Sequence, residues 1–371
     1  MSVTIFHCAD IHLDTPFSLS LRRAEQRNSE LRSAFRNAVM YARGEKAQLF
    51  FIAGDLFDSR YVSLDTAELL INELRSFPEC RFFVSPGNHD PYDDRSPYAL
   101  LNWPDNVHIF REKERVSIDD LGVDVYGCGY TSGSMETSPV TGYPERDPSR
   151  INILVCHGTV GMPLSKDGPI LLSEIESSGF DYIALGHIHR SEGVKSVGGV
   201  SYAYPGCIEG RGFDELGYKG ALFGTVSKGE VKLKGVRMSL RRFETAQVLV
   251  DPHASKREIV EAVTRRVREF GSDTALRIEL EGEMPAGVII TNDDLGNLTE
   301  GPYYLEIRDN TVPALELTGV EEDATLKGVF YRDMKKLIEE SPEQRRIALL
   351  ALRYGLSALA DRKVIDFEEA E

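Results

Sequence analysis

Polar side chains that can bind metal ions follow five separate apolar runs of this chain, each at the point where the run ends. Asp10 and His12 come after Val3–Cys8, and Asp55 comes after Gln48–Ala53. The arrangement recurs after three further runs, where the polar residues are Asn88 and His89, then His157, then His187 and His189. Because the carboxyl ends of parallel strands share one edge of a sheet, we expect these distant side chains to converge.

Short apolar runs alternate with polar or helical segments through residues 1–225. This alternation is typical of a layered α/β fold whose strands are buried on both faces. The predicted strands are Val3–Cys8, Gln48–Ala53, Arg81–Ser85, Val123–Cys128, Ile151–Cys156, Tyr182–Leu185 and Ala221–Val226. Apolar residues at steps of three and four predict one helix through Leu31–Ala42 and a second over Thr66–Phe77.

The strand pattern breaks near residues 237–246, where charged residues interrupt it. With 371 residues, the chain is long enough for two or three domains. We predict a catalytic domain over residues 1–240, a small αβ domain over 246–318 and a helical tail over 326–371. In the tail, Leu349, Leu352 and Leu356 form an apolar face that packs either within the chain or on a partner.

The net charge of −16 argues against an extended nucleic-acid-binding surface, so any contact with a polyanion must be local. The clearest basic window is Leu21–Lys46, whose arginines either grip phosphates or form the solvated face of a helix. Tyr92 and Trp103 either stack on a nucleobase or pack in the core.

No apolar stretch is long enough to span a bilayer, and the first residues lack the layout of a secretory signal. We therefore expect a cytoplasmic protein without a membrane partner. The cysteines are Cys8, Cys80, Cys128, Cys156 and Cys207. Their scattered spacing predicts buried, reduced thiols rather than a zinc site.

The candidate metal ligands supply two carboxylates, one amide oxygen and four imidazoles, which are too many donors for one ion and fit two. They are Asp10, His12, Asp55, Asn88, His157, His187 and His189. Oxygen and nitrogen donors without thiolate suit Mn, Fe, Zn or Co. Two such ions about 3.5–4 Å apart can activate a bridging water and neutralise the oxygens of a phosphoryl group.

Five short motifs form one ordered series: Asp10-x-His12, Gly54-Asp55, Gly87-Asn88-His89-Asp90, Cys156-His157-Gly158 and Gly186-His187-Ile188-His189. This series resembles the calcineurin-like metallophosphoesterases. The flanking sequences His7–Asp14, Gly54–Asp58 and Tyr204-Pro205-Gly206 with Gly220-Ala221 resemble the SbcD/YhaO group of DNA-repair exonucleases. The resemblance implies an αββα sandwich with a small αβ cap module and a helical tail.

The resemblance also implies which residue holds which ion. Asp10, His12, Asp55 and His189 would hold one ion, and Asp55, Asn88, His157 and His187 would hold the other. His89 matches a catalytic histidine that approaches the scissile phosphate without binding metal, and an imidazole next to a ligand can serve as an acid or an electrostatic stabiliser.

Two carboxylates have open alternatives at this stage. Asp90 either orients His89 or caps a helix, and Asp58 either supports a ligand or caps the following segment.

The predicted function is metal-dependent cleavage of phosphodiester bonds in DNA, by an exonuclease or endonuclease with two divalent ions, of which Mn is the expected metal. The alternative is a phosphoesterase that acts on a small phosphorylated molecule or nucleotide, which the acidic surface favours. A non-catalytic scaffold is a third alternative, against which the intact ligand set argues. DNA is the expected substrate. The resemblance implies a coiled-coil ABC-type ATPase subunit as a partner, and a homodimer is a further candidate assembly.

Overall fold

The computed structural model describes residues 2–17, 21–285, 287–296, 301–314, 319–340 and 345–359. The chain divides into two compact units, Met1–Arg242 and Phe243–Glu371. No helix of these described residues combines the length and the apolar composition that crossing a membrane requires.

The described residues of the first unit form fourteen strands and four helices. The strands are β1 (Ser2–Cys8), β2 (Leu49–Ala53), β3 (Arg81–Ser85), β4 (Val107–Ile109), β5 (Glu114–Ile118), β6 (Val123–Gly127), β7 (Ile151–His157), β8 (Thr159–Val160), β9 (Pro169–Ile170), β10 (Tyr182–Gly186), β11 (Val194–Val197), β12 (Val200–Ala203), β13 (Gly220–Ser227) and β14 (Glu230–Arg237). The helices are α1 (Leu21–Gly44), α2 (Leu64–Arg75), α3 (Pro97–Leu100) and α4 (Leu172–Glu176).

Two six-stranded sheets form the centre of this unit. Their strand orders are β14-β13-β1-β2-β3-β4 and β11-β12-β10-β7-β6-β5. Strands β1 to β4 run parallel, as do β12, β10, β7 and β6, and antiparallel strands complete each sheet. The predicted strands are the central ones, because parallel strands covered on both faces are apolar throughout.

The packing of these sheets makes four layers. Side chains of both sheets, including Phe51, Phe83, Ile153 and Tyr182, form one buried cluster between them. Helices α1 and α2 cover the outer face of the first sheet, and α4 contributes to a third cluster on the second. The predicted αββα sandwich is therefore confirmed.

The second unit is a small αβ module followed by two helices. Its elements are β15 (Arg242–Val250), α5 (Lys256–Val267), β16 (Thr274–Met284), a 3₁₀ turn (Asn292–Leu295), β17 (Tyr304–Asp309), β18 (Val312–Pro313), α6 (Leu326–Glu340) and α7 (Arg345–Leu359). Helix α5 begins with a capping box between Ser255 and Glu258, and its buried face packs with the strands.

The predicted apolar face of the tail packs within the chain. Leu352 and Leu356 of α7 are buried in a cluster with Val320 and Tyr331, and Leu349 is half-buried. Arg353 of α7 pairs with Glu283 of β16 through Nη2 and Oε1, 2.5 Å apart. The division into catalytic domain, cap and tail stays a prediction, and residues 360–371 of the tail lie outside the described residues.

Candidate metal centre

Strand register brings the candidate ligands to one edge of the sandwich. In the first sheet, Cys8 pairs with Ile52 and Ala53 pairs with Ser85, so β1, β2 and β3 end side by side. In the second sheet Gly186 pairs with His157. Since β2 packs against both β7 and β10, the two sets of strand ends meet. This topology is the reason why the candidate ligands converge, as the sequence predicted.

Four of the candidate ligands form a buried cluster: Asp10, His12, Asp55 and His157 are at most 2% exposed. Oδ2 of Asp55 lies 3.6 Å from Nε2 of His12 and 3.5 Å from Nε2 of His157. Nε2 of His189 lies 3.9 Å from Oδ1 of Asp10. Asp55 is thus the carboxylate between the two groups of imidazoles, as a shared ligand would be.

Each of three imidazoles is held at its Nδ1, which leaves Nε2 to face the centre. Nδ1 of His12 lies 3.0 Å from Oδ1 of Asp58, and Nδ1 of His189 lies 2.6 Å from Oε1 of Glu215. Nδ1 of His157 lies 3.0 Å from the carbonyl oxygen of Ala53. Because these oxygens can only accept, the Nδ1 atoms carry the hydrogens, and the Nε2 lone pairs are free to bind metal.

The central donors fit a cation. Nε2 of His12 and Nε2 of His189 lie only 3.3 Å apart, so either a proton on one of them or a cation between them must separate the two lone pairs. Burial lowers the pKa of His12 to about 4, so this imidazole is neutral at pH 7. Burial raises the pKa of Asp10 to about 6, and a cation would favour its ionised form.

Asp55 differs from Asp10 in its electrostatics. Burial opposes its ionisation, but the imidazoles of His157 and His12 outweigh that effect and hold the pKa of Asp55 below its usual value. The backbone N–H of His89 donates to its Oδ1 at 3.0 Å. Asp55 is therefore an anion at neutral pH, with its Oδ2 directed at the imidazoles.

The backbone at the site is strained. Asp10, His12, Asp55 and His187 have φ of 51°, 49°, 50° and 105°, a region that residues with a Cβ rarely adopt. Each such residue costs on the order of 1–3 kcal/mol and persists only where its surroundings enforce it. Four strained residues among seven candidate ligands indicate that this edge is shaped for binding rather than for stability.

Two glycines next to candidate ligands are required by close packing. A Cβ on Gly54, whose φ is 94°, would lie 2.0 Å from Nδ1 of His157. A Cβ on Gly186 would lie 1.7 Å from the carbonyl oxygen of Ala53. Both contacts are far below van der Waals distance, so no larger residue allows the strand ends this close to each other.

Asn88 and His89 lie at the same centre but differ in environment. Oδ1 of Asn88 is 2.9 Å from Nε2 of His157. His89 is exposed, and its ring centroid lies 4.8 Å from that of His12. One ring nitrogen of His89, one of His12 and one carboxylate oxygen of Asp55 also lie close enough together to hold a cation. An exposed imidazole beside a buried cluster is able to reach a substrate.

His187 is positioned differently from the other candidate ligands. Its Nε2 lies 4.0 Å from Oδ2 of Asp167, and its ring centroid lies 5.1 Å from that of His157. Its backbone N–H donates to Oδ1 of Asp10 at 3.0 Å. The side chain of His187 is not part of the three closely spaced donor groups found among the described residues, and its role as a ligand stays a prediction.

The two carboxylates with open alternatives now have defined contacts. Asp58 binds Nδ1 of His12, which is the supporting role. Asp90 accepts from the backbone N–H groups of Gly87 and Phe57 and from the hydroxyl of Tyr98, at 2.7, 2.9 and 2.6 Å. Asp90 therefore joins the loop that carries Asn88 and His89 to the loop that follows Asp55.

Two arginines of the basic window Leu21–Lys46 pair with acidic side chains of the protein. Arg27 is buried and pairs with Glu30 and Glu209, and Arg36 pairs with Glu73. Trp103 and Tyr92 pack against the core cluster of the first sheet, with the ring of Tyr98 stacked between them. These contacts favour the structural alternatives for the aromatic residues and for these arginines.

Two functional residues were not found by sequence reasoning: Arg211 and Glu215. Arg211 donates from Nη2 to Oε1 of Glu215 at 3.1 Å and from Nη1 to Oδ1 of Asp58 at 3.2 Å. It thereby joins the two carboxylates that orient His12 and His189. Despite burial, the imidazole of His189 and the guanidinium of Arg211 lower the pKa of Glu215 to about 2. No apolar run precedes these residues, so the strand-end pattern could not indicate them.

We expect Glu215→Gln to weaken divalent metal binding by about 10- to 100-fold. The amide keeps the shape of the side chain, but its lost charge no longer favours the N–H of His189 or balances Arg211. Titration of the metal-free protein with Mn²⁺ by calorimetry measures this change. The control is Glu230→Gln, which removes an exposed carboxylate paired with Lys232. Equal affinities in both variants would contradict the assigned role.

The chain is similar to a family model and to several known proteins. The family model for calcineurin-like phosphoesterases matches residues 3–191. An uncharacterized metallophosphoesterase of Bacillus subtilis, YhaO, is 28% identical in an alignment of 299 residues that covers 76% of this chain and 72% of the relative. A dimetal phosphatase from Danio rerio gives a TM-score of 0.39 at 14% identity, over 64% of this chain and 99% of that one. The structure of TT1561 from Thermus thermophilus gives a TM-score of 0.37 at 12% identity, over 61% of this chain and 98% of that one. The chain belongs to the calcineurin-like phosphoesterase family.

Proposed function

We propose that this protein is a metal-dependent phosphodiesterase that cleaves DNA, of the SbcD/YhaO kind. The observation that carries the phosphodiesterase proposal is the buried cluster of Asp10, His12, Asp55 and His157, with the exposed imidazole of His89 beside it. When bound, a pair of divalent ions would polarise the phosphoryl oxygens and generate a nucleophile from water at neutral pH.

The residues of the chain have separate tasks in this reaction. Asp55 holds the two halves of the centre together because its Oδ2 faces both His12 and His157. Asp58 and Glu215 fix the rings of His12 and His189, so the donor atoms do not reorganise during turnover. His89, which lies at the solvent side, donates a proton to the leaving oxygen of the cleaved ester.

DNA as the substrate is supported by the part of the chain that lies beyond the phosphoesterase region. The similarity to YhaO extends over 299 residues, more than the segment 3–191 that the family model matches. An additional αβ module and two helices are more than hydrolysis of a small ester requires. Three features stay predictions: residues 246–318 as a cap, the tail as the contact with an ABC-type ATPase, and a homodimer. Copurification tests the contact with the ATPase, and size-exclusion chromatography tests the homodimer.

The net charge of −16 favours a second candidate, a phosphoesterase for a small phosphorylated molecule or nucleotide. The deciding experiment compares Mn²⁺-dependent release of nucleotides from linear DNA with hydrolysis of bis(4-nitrophenyl) phosphate. We expect both reactions. Hydrolysis of the small ester without any cleavage of DNA, in the presence or absence of an ATPase partner, would reject the nuclease proposal.

A further inference from the structure

A pocket opens next to the metal centre. The sequence motifs around this pocket have no role in the reaction described so far. The pocket has a volume of about 360 Å³ and shares His189 with the centre. Its wall includes Pro205 and Gly206 and the start of β13 at Gly220 and Ala221. These residues are the flanking motif noted in the sequence, and the N–H of Cys207 binds the carbonyl oxygen of His189.

The charge of this pocket is opposite to that of the whole protein. Its wall carries Arg190, Lys219 and Arg237, and none of the residues that line it, all of them within the described chain, is acidic. Among the described residues, no carboxylate forms an ion pair with Arg190 or Lys219. In a chain with 59 acidic and 43 basic residues, Arg190 and Lys219 on the wall of one cavity without an acidic lining residue are a marked local excess of positive charge.

Three arginines of α1 do not provide an equivalent site. The arginines of α1 that were expected to grip phosphates include Arg27, Arg32 and Arg36, which pair with acidic side chains. The cations next to His189 are placed to hold a second anionic group beside the metal centre. Lys219 is half-buried, and Arg190 directly follows His189 in the chain.

The chemistry of the pocket fits a phosphate better than a nucleobase. A nucleobase is neutral, whereas the pocket wall carries basic side chains and no carboxylate, which favours an anion. The ring of Tyr218 is in contact with guanidinium groups, with Cζ of Arg237 3.5 Å and Cζ of Arg242 5.0 Å from its centroid. Arg237 also donates from Nε to the carbonyl oxygen of Ser239 at 3.1 Å, so its guanidinium is fixed beside the pocket.

We propose that this pocket binds a backbone phosphate of a DNA strand, next to the phosphate that is cleaved at the metal centre. This inference rests on the proposed function. It makes a substrate with at least two phosphates the preferred one, because one phosphate lies at the centre while another lies against Lys219 and Arg190. Contacts of this kind position the strand without reading its sequence.

The test uses Lys219→Gln in the full chain. Lys219 forms hydrogen bonds through its backbone N–H and carbonyl oxygen, and glutamine keeps both groups. Binding of a fluorescein-labelled oligothymidylate is measured by anisotropy without divalent ions, so that no cleavage occurs. We expect the variant to bind about three- to tenfold more weakly. The slope of log K against log salt should fall by about 0.7, the value for one lost contact with a single strand. Arg190→Gln should have the same direction of effect.

The matched control is Lys232→Gln, which removes the same charge from an exposed lysine that pairs with Glu230. A second arm compares hydrolysis of bis(4-nitrophenyl) phosphate, which has one phosphate, with that of the oligonucleotide. We expect the loss in kcat/KM of Lys219→Gln to be at least about threefold larger for the oligonucleotide. Behaviour like that of the control would overturn the proposal, and so would equal losses on both substrates, which would place Lys219 at the cleaved phosphate.

The source of the phosphate is resolved by competition. We expect a short oligothymidylate to displace the labelled strand from the wild-type protein. At equal phosphate concentration, thymidine monophosphate and inorganic phosphate should not displace it. Equal displacement by these two compounds would assign the pocket to small phosphates. Failure of the nuclease proposal looks different: the strand binds, and binds less well to Lys219→Gln, but is not cleaved with Mn²⁺.

Discussion

Asp55→Asn is expected to lose most of its bound divalent metal and to hydrolyse phosphodiesters at least about 10³-fold more slowly than the wild type. The carboxylate of Asp55 is the only one of the described residues with an oxygen within 3.6 Å of both His12 and His157. Asparagine keeps the shape and can still accept the N–H of His89 through its oxygen. It lacks the charge, and with its oxygen at the place of Oδ1 an NH₂ group takes the place of Oδ2 and faces both imidazoles.

The measurement is metal content of purified protein together with the rise in melting temperature on addition of Mn²⁺. A ligand that binds only the folded state stabilises it, so a protein that has lost its site should lose this rise. Asp119→Asn, which alters a carboxylate that is 88% exposed, is the control. Two ions bound to Asp55→Asn with unchanged affinity would show that Asp55 is not the shared ligand.

The central half of the fold could be predicted from the sequence because its strands are buried on both faces. Strand β3 over Arg81–Ser85 matches its predicted bounds, and β1, β2, β7 and β10 each differ from theirs by one residue at one end. The edge strands were missed for the opposite reason. Strand β14 over Glu230–Arg237 is largely exposed and rich in lysine, and β11 over Val194–Val197 is exposed along most of its length. Pairing with a neighbour, rather than an apolar run, fixes such strands.

The candidate site divides in the same way. Residues at strand ends could be predicted because their place follows from topology, and Asp10, Asp55 and His157 meet as expected. Arg211 and Glu215 act from an irregular loop, whose path depends on contacts over long sequence distances such as that of Arg211 with Asp58. The charge of the window Leu21–Lys46 suggested that its arginines either bind phosphates or are solvated, but Arg27 is buried and pairs with Glu209. The sequence does not show that a residue so far along the chain faces Arg27 in the fold.

We expect His89→Ala to lower kcat by about 10²- to 10⁴-fold, the usual contribution of a general acid, while the metal content stays close to that of the wild type. His89 is exposed, whereas the other members of its donor group, His12 and Asp55, are buried. Both of these have further partners that can hold a cation, so removal of the His89 ring leaves the centre intact. His253→Ala, in an exposed turn of the second unit, is the control.

The choice of substrate makes this test specific for proton donation. A nitrophenolate leaves readily without a proton, whereas the sugar oxygen of DNA is a poor leaving group and depends on one. The deficit of His89→Ala should therefore be much larger for an oligonucleotide than for bis(4-nitrophenyl) phosphate. Equal deficits on both substrates would reduce His89 to electrostatic stabilisation of the phosphate. Loss of both ions would instead make it a ligand, since its nitrogen lies close enough to His12 and Asp55 to bind the same cation.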